Sequence, residues 1–373
     1  MKVILKEYID RQKMLLYNMR YLPDPDEVVG TNYDEYRKLL EDPHVYATVQ
    51  QRKSQVSQMG WELVNYTDAD DEYEEILTIM RRFDLPRIIS EILNALFLGY
   101  SVMEIMWKRF EEKIYPVDLI EKPQEWFAFD AKNKIVLKKG LNIKTLPRMK
   151  FIVAQNEPSF KNPYGEKLLK KIYWTTKSKA IAVAMWQKLA ERYGMPSLVG
   201  RYPSTATETE IEQLLEDLEK MIEDNITVMS ADNQIEFQES MKYNAGMVFE
   251  KLMEFYNAEI SKAILTVTLT TEIARRGAYS AAQVHQEMLE YIGLHDKKLV
   301  EKVFNQMFAY AWLINYGELK EAPRIKLEKK ERIVETTIER DKILKEMGVE
   351  FTEEYYKKKY NLEREDFRLV DNG

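Results

Sequence analysis

The chain has 373 residues, 45% of them apolar and 31% charged, which is enough for two or three substructures around a substantial core. Its 55 basic and 62 acidic residues are closely interspersed and leave a net charge of −7. That balance argues against phosphate-neutralising contact over the whole surface, while leaving room for a local basic element or a surface past which DNA moves.

In chain order, residues 1–30 combine a short amphipathic segment with the Pro23-Asp24-Pro25 turn and read as an arm. Residues 32–58 read as helical, with Tyr36, Leu39, Leu40, Val45, Val49 and Val56 near helical spacing and Pro43 dividing the helix in two. Residues 61–66 alternate like a strand, and 68–82 and 85–98 read as helices. Residues 100–107 alternate again, Val102, Glu104 and Met106 against Met103, Ile105 and Trp107. Short strands are expected at 115–120, 126–130 and 135–137, so the first 160 residues read as mixed α and β.

The turn Asn162-Pro163-Tyr164-Gly165 then opens a stretch that reaches Tyr193 without Pro or Gly. This predicts one helix of about 28 residues, roughly 42 Å long. Its apolar residues do not keep to one stripe, so it needs neighbours on more than one side. Gly194 and Pro196 end it and a strand at 197–202 follows. A helix over 208–223, with Thr205 and Thr207 as cap candidates, precedes strands at 226–229 and 234–238. A second long helix is expected over 244–264, then a Thr-rich segment, 265–279, containing Arg275-Arg276-Gly277. A third covers 280–316 with a kink expected near Gly293; a strand at 323–327 and two charged helices finish the chain. An insert of about 45 residues between two long helices predicts a compact tip on an antiparallel pair.

This order, together with PQEWFAFD at 123–130, NPYGEKLLKKIYW at 162–174, KLAERYGMPSLVGRYP at 188–203 and AAQVHQEML at 281–289, resembles the portal proteins of tailed bacteriophages, most closely the Mu-type portal family. The resemblance covers about residues 32–315. It implies an α+β, mainly α-helical portal fold: a mixed α/β wing (1–160), a stem helix (161–194), a small α/β clip (195–240), a second stem helix (241–264), a tunnel loop (265–280), a long wing helix and following segment (281–331), and a short helical crown or tail (332–373). It further implies a ring, usually of twelve copies, at one capsid vertex of the virion. Double-stranded DNA would pass through its channel without regard to sequence. The terminase large subunit, a head-completion adaptor, the major capsid protein and a scaffold are the implied partners. Assembly in a bacterial cytoplasm is implied, with no cofactor, metal, membrane or enzymatic activity.

Carried onto this sequence, the tunnel loop supplies Thr268, Thr270, Thr271, Glu272, Arg275 and Arg276, with the two arginines as transient phosphate contacts partly offset by Glu272. The clip helix supplies Glu208, Glu210, Glu212, Glu216 and Asp217 as an acidic face that repels DNA or recruits a basic partner; an ordinary solvated face is the plainer alternative. Leu169, Tyr173, Trp174, Trp186, Phe249, Leu252 and Tyr256 are expected to pack the stem. Lys167, Lys170, Lys171, Lys177, Lys179 and Lys188 on the first stem helix, and Lys251 and Lys262 on the second, are candidates for ion pairs between subunits or for facing the channel.

Other chemistries have less behind them. Cysteine is absent, excluding disulfides, thiol catalysis and thiolate metal sites. Asp68, Asp70 and Asp71 offer a nuclease-like acidic cluster but no second carboxylate motif, and His285 and His295 lie ten apart with no HExxH pattern. His44 follows Pro43 at a helix start, where a solvated or capping role is expected. No P-loop or nucleophile elbow appears. No apolar run reaches the ~18 residues of a membrane span, and the charged N-terminal segment lacks a secretory cleavage site. An oligomeric adaptor or scaffold with no DNA in its channel is the remaining alternative.

Overall fold

The computed structural model describes residues 22–30, 32–64, 70–139, 142–194, 198–203, 205–219, 226–230, 245–266, 278–317, 322–328 and 335–360. The body begins with α1 (Pro25–Val29), α2 (Asp34–Arg37), a 3-10 turn (Lys38–Glu41) and α3 (Pro43–Ser57). Pro43 does divide the helical stretch: it sits in the first turn of α3, where its missing N–H costs nothing. Asp42 before it accepts from the amides of His44 and Val45 at 2.9 and 3.0 Å.

Strand β1 (Gly60–Val64), α4 (Asp70–Met80) and α5 (Leu85–Leu98) follow. Helix α5 is capped by Asp84, carries Pro86 in its first turn and buries Ile88, Ile89, Ile92, Leu93, Leu96 and Phe97. Gly99, at φ +91°, turns the chain directly into β2 (Tyr100–Phe110). β2 is the centre of an antiparallel three-stranded sheet, flanked by β3 (Lys113–Lys122) and β7 (Phe151–Gln155). A second antiparallel sheet joins β4 (Phe127–Phe129), β5 (Ile135–Lys139) and β6 (Asn142–Thr145). β6 and β7 were not expected from the sequence: β6 (NIKT) is too polar and short to alternate visibly. β7 (FIVAQ) is a short apolar run that periodicity alone does not distinguish from other buried segments.

Three long helices follow this body: α6 (Leu168–Gly194), α8 (Ala245–Leu265) and α9 (Ala278–Tyr316). Between α6 and α8 lie β8 (Leu198–Tyr202), α7 (Glu208–Glu219) and β9 (Ile226–Ser230). β8 and β9 pair in parallel with α7 as the crossover, a small βαβ unit. The strand expected at 234–238 lies outside the described residues.

Helix α9 runs through Gly293, where a kink was expected, as one continuous helix. The glycine serves packing instead, because a Cβ there would stand 3.0 Å from Gln55 Cβ on α3. Val300, Val303, Phe304, Met307, Phe308 and Trp312 on α9 complete the core. β10 (Arg324–Glu328) then returns to pair with β1, Gly60 opposite Glu328 and Val64 opposite Arg324. The last described elements are α10 (Glu335–Glu346) and α11 (Glu353–Tyr360), tied by Asp341, whose carboxylate accepts from Tyr355 Oη at 2.9 Å and Tyr360 Oη at 2.7 Å. Among the described residues no helix is long and apolar enough to cross a membrane.

Candidate channel wall and partner surface

The entry to α6 is built from two glycines back to back. Gly165 at φ +75° closes the Asn162–Gly165 turn, with Asn162 Nδ2 donating to Gly165 O at 2.9 Å. A Cβ on Gly99 would fall against Tyr164 O, and one on Gly165 against Asn156 O and Gly99 O. Only glycine fits either place.

The first half of α6 is bound to the body. Leu169, Ile172 and Tyr173 are buried, and Trp174 Nε1 donates to Pro23 O at 2.9 Å. Lys167, just before the helix, and the lysines along it pair within the chain: Lys167 with Asp26 (2.6 Å), Lys170 with Asp24 (2.8 Å) and Asp26 (2.9 Å), Lys171 with Glu166 (2.8 Å), Lys177 with Glu35 (3.8 Å) and Lys179 with Asp42 (2.7 Å). Lys262 on α8 likewise pairs with Glu259 at 2.7 Å. Lys167, Lys170 and Lys179 thus have carboxylate partners in their own chain, whereas Lys171 and Lys262 stay about half exposed; Lys188, farther along, is exposed. Burial alone would raise the Asp26 carboxyl, but hydrogen bonds from Lys167, Lys170 and Tyr36 Oη hold it at about 2.

Beyond Lys179 the surroundings of α6 change. It runs antiparallel to α8, and Trp186 stacks on Phe249 with ring centroids 6.2 Å apart. Leu252 and Tyr256, farther along α8, are partly buried. The other sides of both helices carry exposed apolar side chains: Ile181 (54%), Val183 and Met185 on α6, Met247, Val248 (62%) and Phe255 (56%) on α8. Such a wide apolar surface on two adjoining helices exceeds the scattered exposure usual for a monomer.

The junction between body and helix pair is polar. His44 Nε2 lies 2.8 Å from Ser261 Oγ, so His44 bridges α3 to α8 rather than capping a helix or standing in solvent. Burial, and after it the Lys179 charge, lowers its pKa. Arg52 on α3 is the second bridge. Its Nε and Nη2 donate to the two carboxylate oxygens of Asp296 on α9 at 2.7 and 3.0 Å, and its Nη1 donates to Ile264 O in the last turn of α8 at 2.6 Å. The Asp296 side chain is fully buried. Nothing in the sequence pattern marks this pair, whose members lie 244 residues apart.

On α7, Glu208, Glu210, Glu212 and Glu216 are exposed; Asp217 lies on the same helix, its side chain outside the described residues. Glu210 also reaches back to the start of the helix: its Oε2 accepts from Thr207 N and Thr207 Oγ1, each at 2.9 Å, which satisfies an amide at the helix entry. Thr268, Thr270, Thr271, Glu272, Arg275 and Arg276 lie outside the described residues, as does Asp68. Asp70 and Asp71 stand in the first turn of α4, and His295 is exposed at the side of Asp296. Among the described residues no three His, Asp or Glu side chains converge as a metal site requires.

A packed α+β body, a pair of long antiparallel helices bearing a small βαβ unit, and a third long helix returning through the body make up the portal fold. The sequence profile of the family described as "Portal protein of Mu bacteriophage" matches residues 33–362. The chain belongs to that family. It is 22% identical over 281 residues to the portal protein of Escherichia phage Mu, covering 73% of this chain and 55% of that protein. It is 22% identical over 302 residues to the Mu-like prophage FluMu protein gp29 of Haemophilus influenzae, covering 76% and 57% respectively. The chain thus spans about half the length of the curated relatives it matches.

Among solved structures it is similar to a chain in the neck of a native gene transfer agent particle computed with C12 symmetry: TM-score 0.55, 12% identity, 90% of this chain and 92% of that one. A chain in the neck of the empty particle, computed with C6 symmetry, gives a TM-score of 0.53 at 13% identity, covering 90% and 93%. At these identities the likeness is one of fold.

Proposed function

We propose that this protein is the subunit of a ring, of twelve copies, at one vertex of a phage-type capsid, and that double-stranded DNA is packaged and released through the ring's centre. The observation that carries this reading is the division along α6. Up to Lys179 its charges and apolar groups are satisfied by its own chain; beyond it, α6 and α8 present apolar residues on sides that their mutual packing leaves open. Neighbouring copies of the same helix pair would bury those sides, giving a heterologous interface that closes into a ring. Membership of the portal family and a fold shared with a neck chain solved with C12 symmetry support it.

In this reading α6 and α8 are the stem, β8–α7–β9 lies in the clip, the body with α9 is the wing, and α10–α11 form a short crown. The 265–280 segment is the tunnel loop, where Arg275 and Arg276 touch phosphates weakly enough for the duplex to move. The acidic face of α7 repels DNA within the channel or recruits a basic surface of the terminase large subunit, and later the head-completion adaptor. The wing meets the major capsid protein, with scaffold during assembly. The protein performs no catalysis; the packaging motor is another protein. Electron microscopy of the purified chain tests the proposal: it requires closed rings with a central hole wide enough for duplex DNA. Rings whose hole is too narrow would indicate an adaptor without DNA in its channel.

A further inference from the structure

Helix α9 buries Leu289, Gly293, Asp296, Val300, Val303 and Met307, spaced alternately four and three residues apart. This is the seam of a helix packed along its length, and one of its members is a carboxylate. A buried ion pair adds little net stability compared with apolar residues of similar volume, whereas a buried charge stripped of its partner is strongly destabilising. The asymmetry makes Asp296 a marker of register. If α9 slid one turn along α3, about 5.4 Å, Asp296 would leave Arg52 and stand unpaired, whereas an all-apolar seam would tolerate the slip.

The same guanidinium fixes a third element. Ile264 O belongs to the last turn of α8, where carbonyls have no partner in their own helix and favour a cation. Thr266 follows at φ +56°, in the left-handed conformation that stops a helix. Arg52 therefore sets where α8 ends and how α9 is placed, and these are the two helices that flank residues 266–277.

We propose that Arg52 is a positioning residue for the channel constriction: by holding Asp296 and Ile264 O together, it fixes the axial placement of the helices from which the Thr- and Arg-bearing segment hangs. This rests on the portal reading for its consequence on DNA, but not for its structural content.

The test uses the full chain with Arg52→Met/Asp296→Leu, which removes both charges without leaving either unpaired, and with Arg52→Lys. In the double variant, amides of residues 262–265 and 293–300 are expected to exchange at least ~10-fold faster than in wild type while the melting temperature holds. Arg52→Lys, which can reach Asp296 but not Ile264 O as well, should restore protection at 293–300 and leave 262–265 fast. In a packaging reaction, rings of the double variant should form normally and lose DNA that wild-type rings retain.

Unchanged exchange in both segments, or faster exchange in proportion to a global loss of stability, overturns the inference. Wild-type DNA retention by double-variant rings overturns its functional part. If wild-type rings themselves do not package DNA, it is the portal reading that fails, and the exchange pattern still decides the role of Arg52.

Discussion

Trp186 on α6 and Phe249 on α8 lie face to face, their ring planes 9° apart. The contact joins the two helices beyond Lys179, the last lysine of α6 that pairs with the body. A double-mutant cycle with Trp186→Ala and Phe249→Ala, followed by denaturant unfolding, should give a coupling of about 0.5–1.5 kcal/mol beyond the separate losses. Strict additivity would mean the rings meet without stabilising the pair.

Gly165 and Gly99 combine positive φ with a neighbour that a methyl group would strike. Gly165→Ala should cost more than the ~1–2 kcal/mol of left-handed strain alone, because Asn156 O is backbone and cannot swing aside. Gly348→Ala, at the left-handed cap of α10, is the control: φ is +91° but nothing lies within 4 Å of its Cβ, so only the conformational cost is expected. Thermal melts of the two variants should rank in that order, and equal losses would refute the steric argument.

His44 supplies a pH dependence. Its folded pKa lies below the 6.5 of the free group, through burial and the Lys179 charge, so the unfolded chain takes up the proton first as pH falls. Its contribution to stability is complete above pH 6.5 and is lost as pH falls through the lowered folded value. The slope should stay below one proton, since the ring is only half-buried. His44→Gln, which keeps a donor toward Ser261, should flatten that part of a pH–stability curve; an unaltered curve would assign the slope elsewhere.

Ile181→Asp with Met185→Asp places charges on the exposed apolar side of α6. Because both residues are exposed in the single chain, folding stability should change by no more than about 0.5 kcal/mol per site. Rings seen by mass photometry should be replaced by single chains. Rings at wild-type abundance would show that this side of α6 faces away from neighbouring copies.

The proposed DNA and partner surfaces separate by assembly state. Arg275→Ala/Arg276→Ala should leave rings intact and change DNA retention. The salt dependence of ring–DNA binding should become shallower by about one for every phosphate the arginines had neutralised. Reversing charge with Glu212→Lys and Glu216→Lys should weaken capture of the terminase large subunit in a pull-down at low salt. Undiminished capture would reduce that face to ordinary solvation.

Much of the element order could be read from the chain because it rests on local signals. Pro43, the Asn162–Gly165 turn and Gly194 act within a few residues, and the α6, α8 and α9 boundaries fell within about three residues of those expected. What escaped depends on distance. The lysines of α6 give no sequence clue that Asp24, Asp26 and Asp42, over 130 residues earlier, would meet them. Gly293 reads as a kink until α3 is seen against it. Arg52 and Asp296 each look like ordinary surface charges in a polar-rich helix. Of the candidate channel residues, the stem aromatics could be placed by helical spacing, whereas the roles of the 265–280 segment came only from the family resemblance.

The pairing of β1 with β10 has a consequence for biogenesis. These strands are more than 250 residues apart in the chain, and their closure is a slow, non-local step. The hairpin of α6 and α8, by contrast, is complete once residue 265 has emerged from the ribosome. At 5–20 residues per second, roughly 3–12 s of synthesis separate that moment from the emergence of Glu328. If the exposed apolar sides of α6 and α8 are the ring interface proposed above, each nascent chain carries that interface on an unfinished body for this interval, with neighbouring nascent chains on one message as the nearest copies.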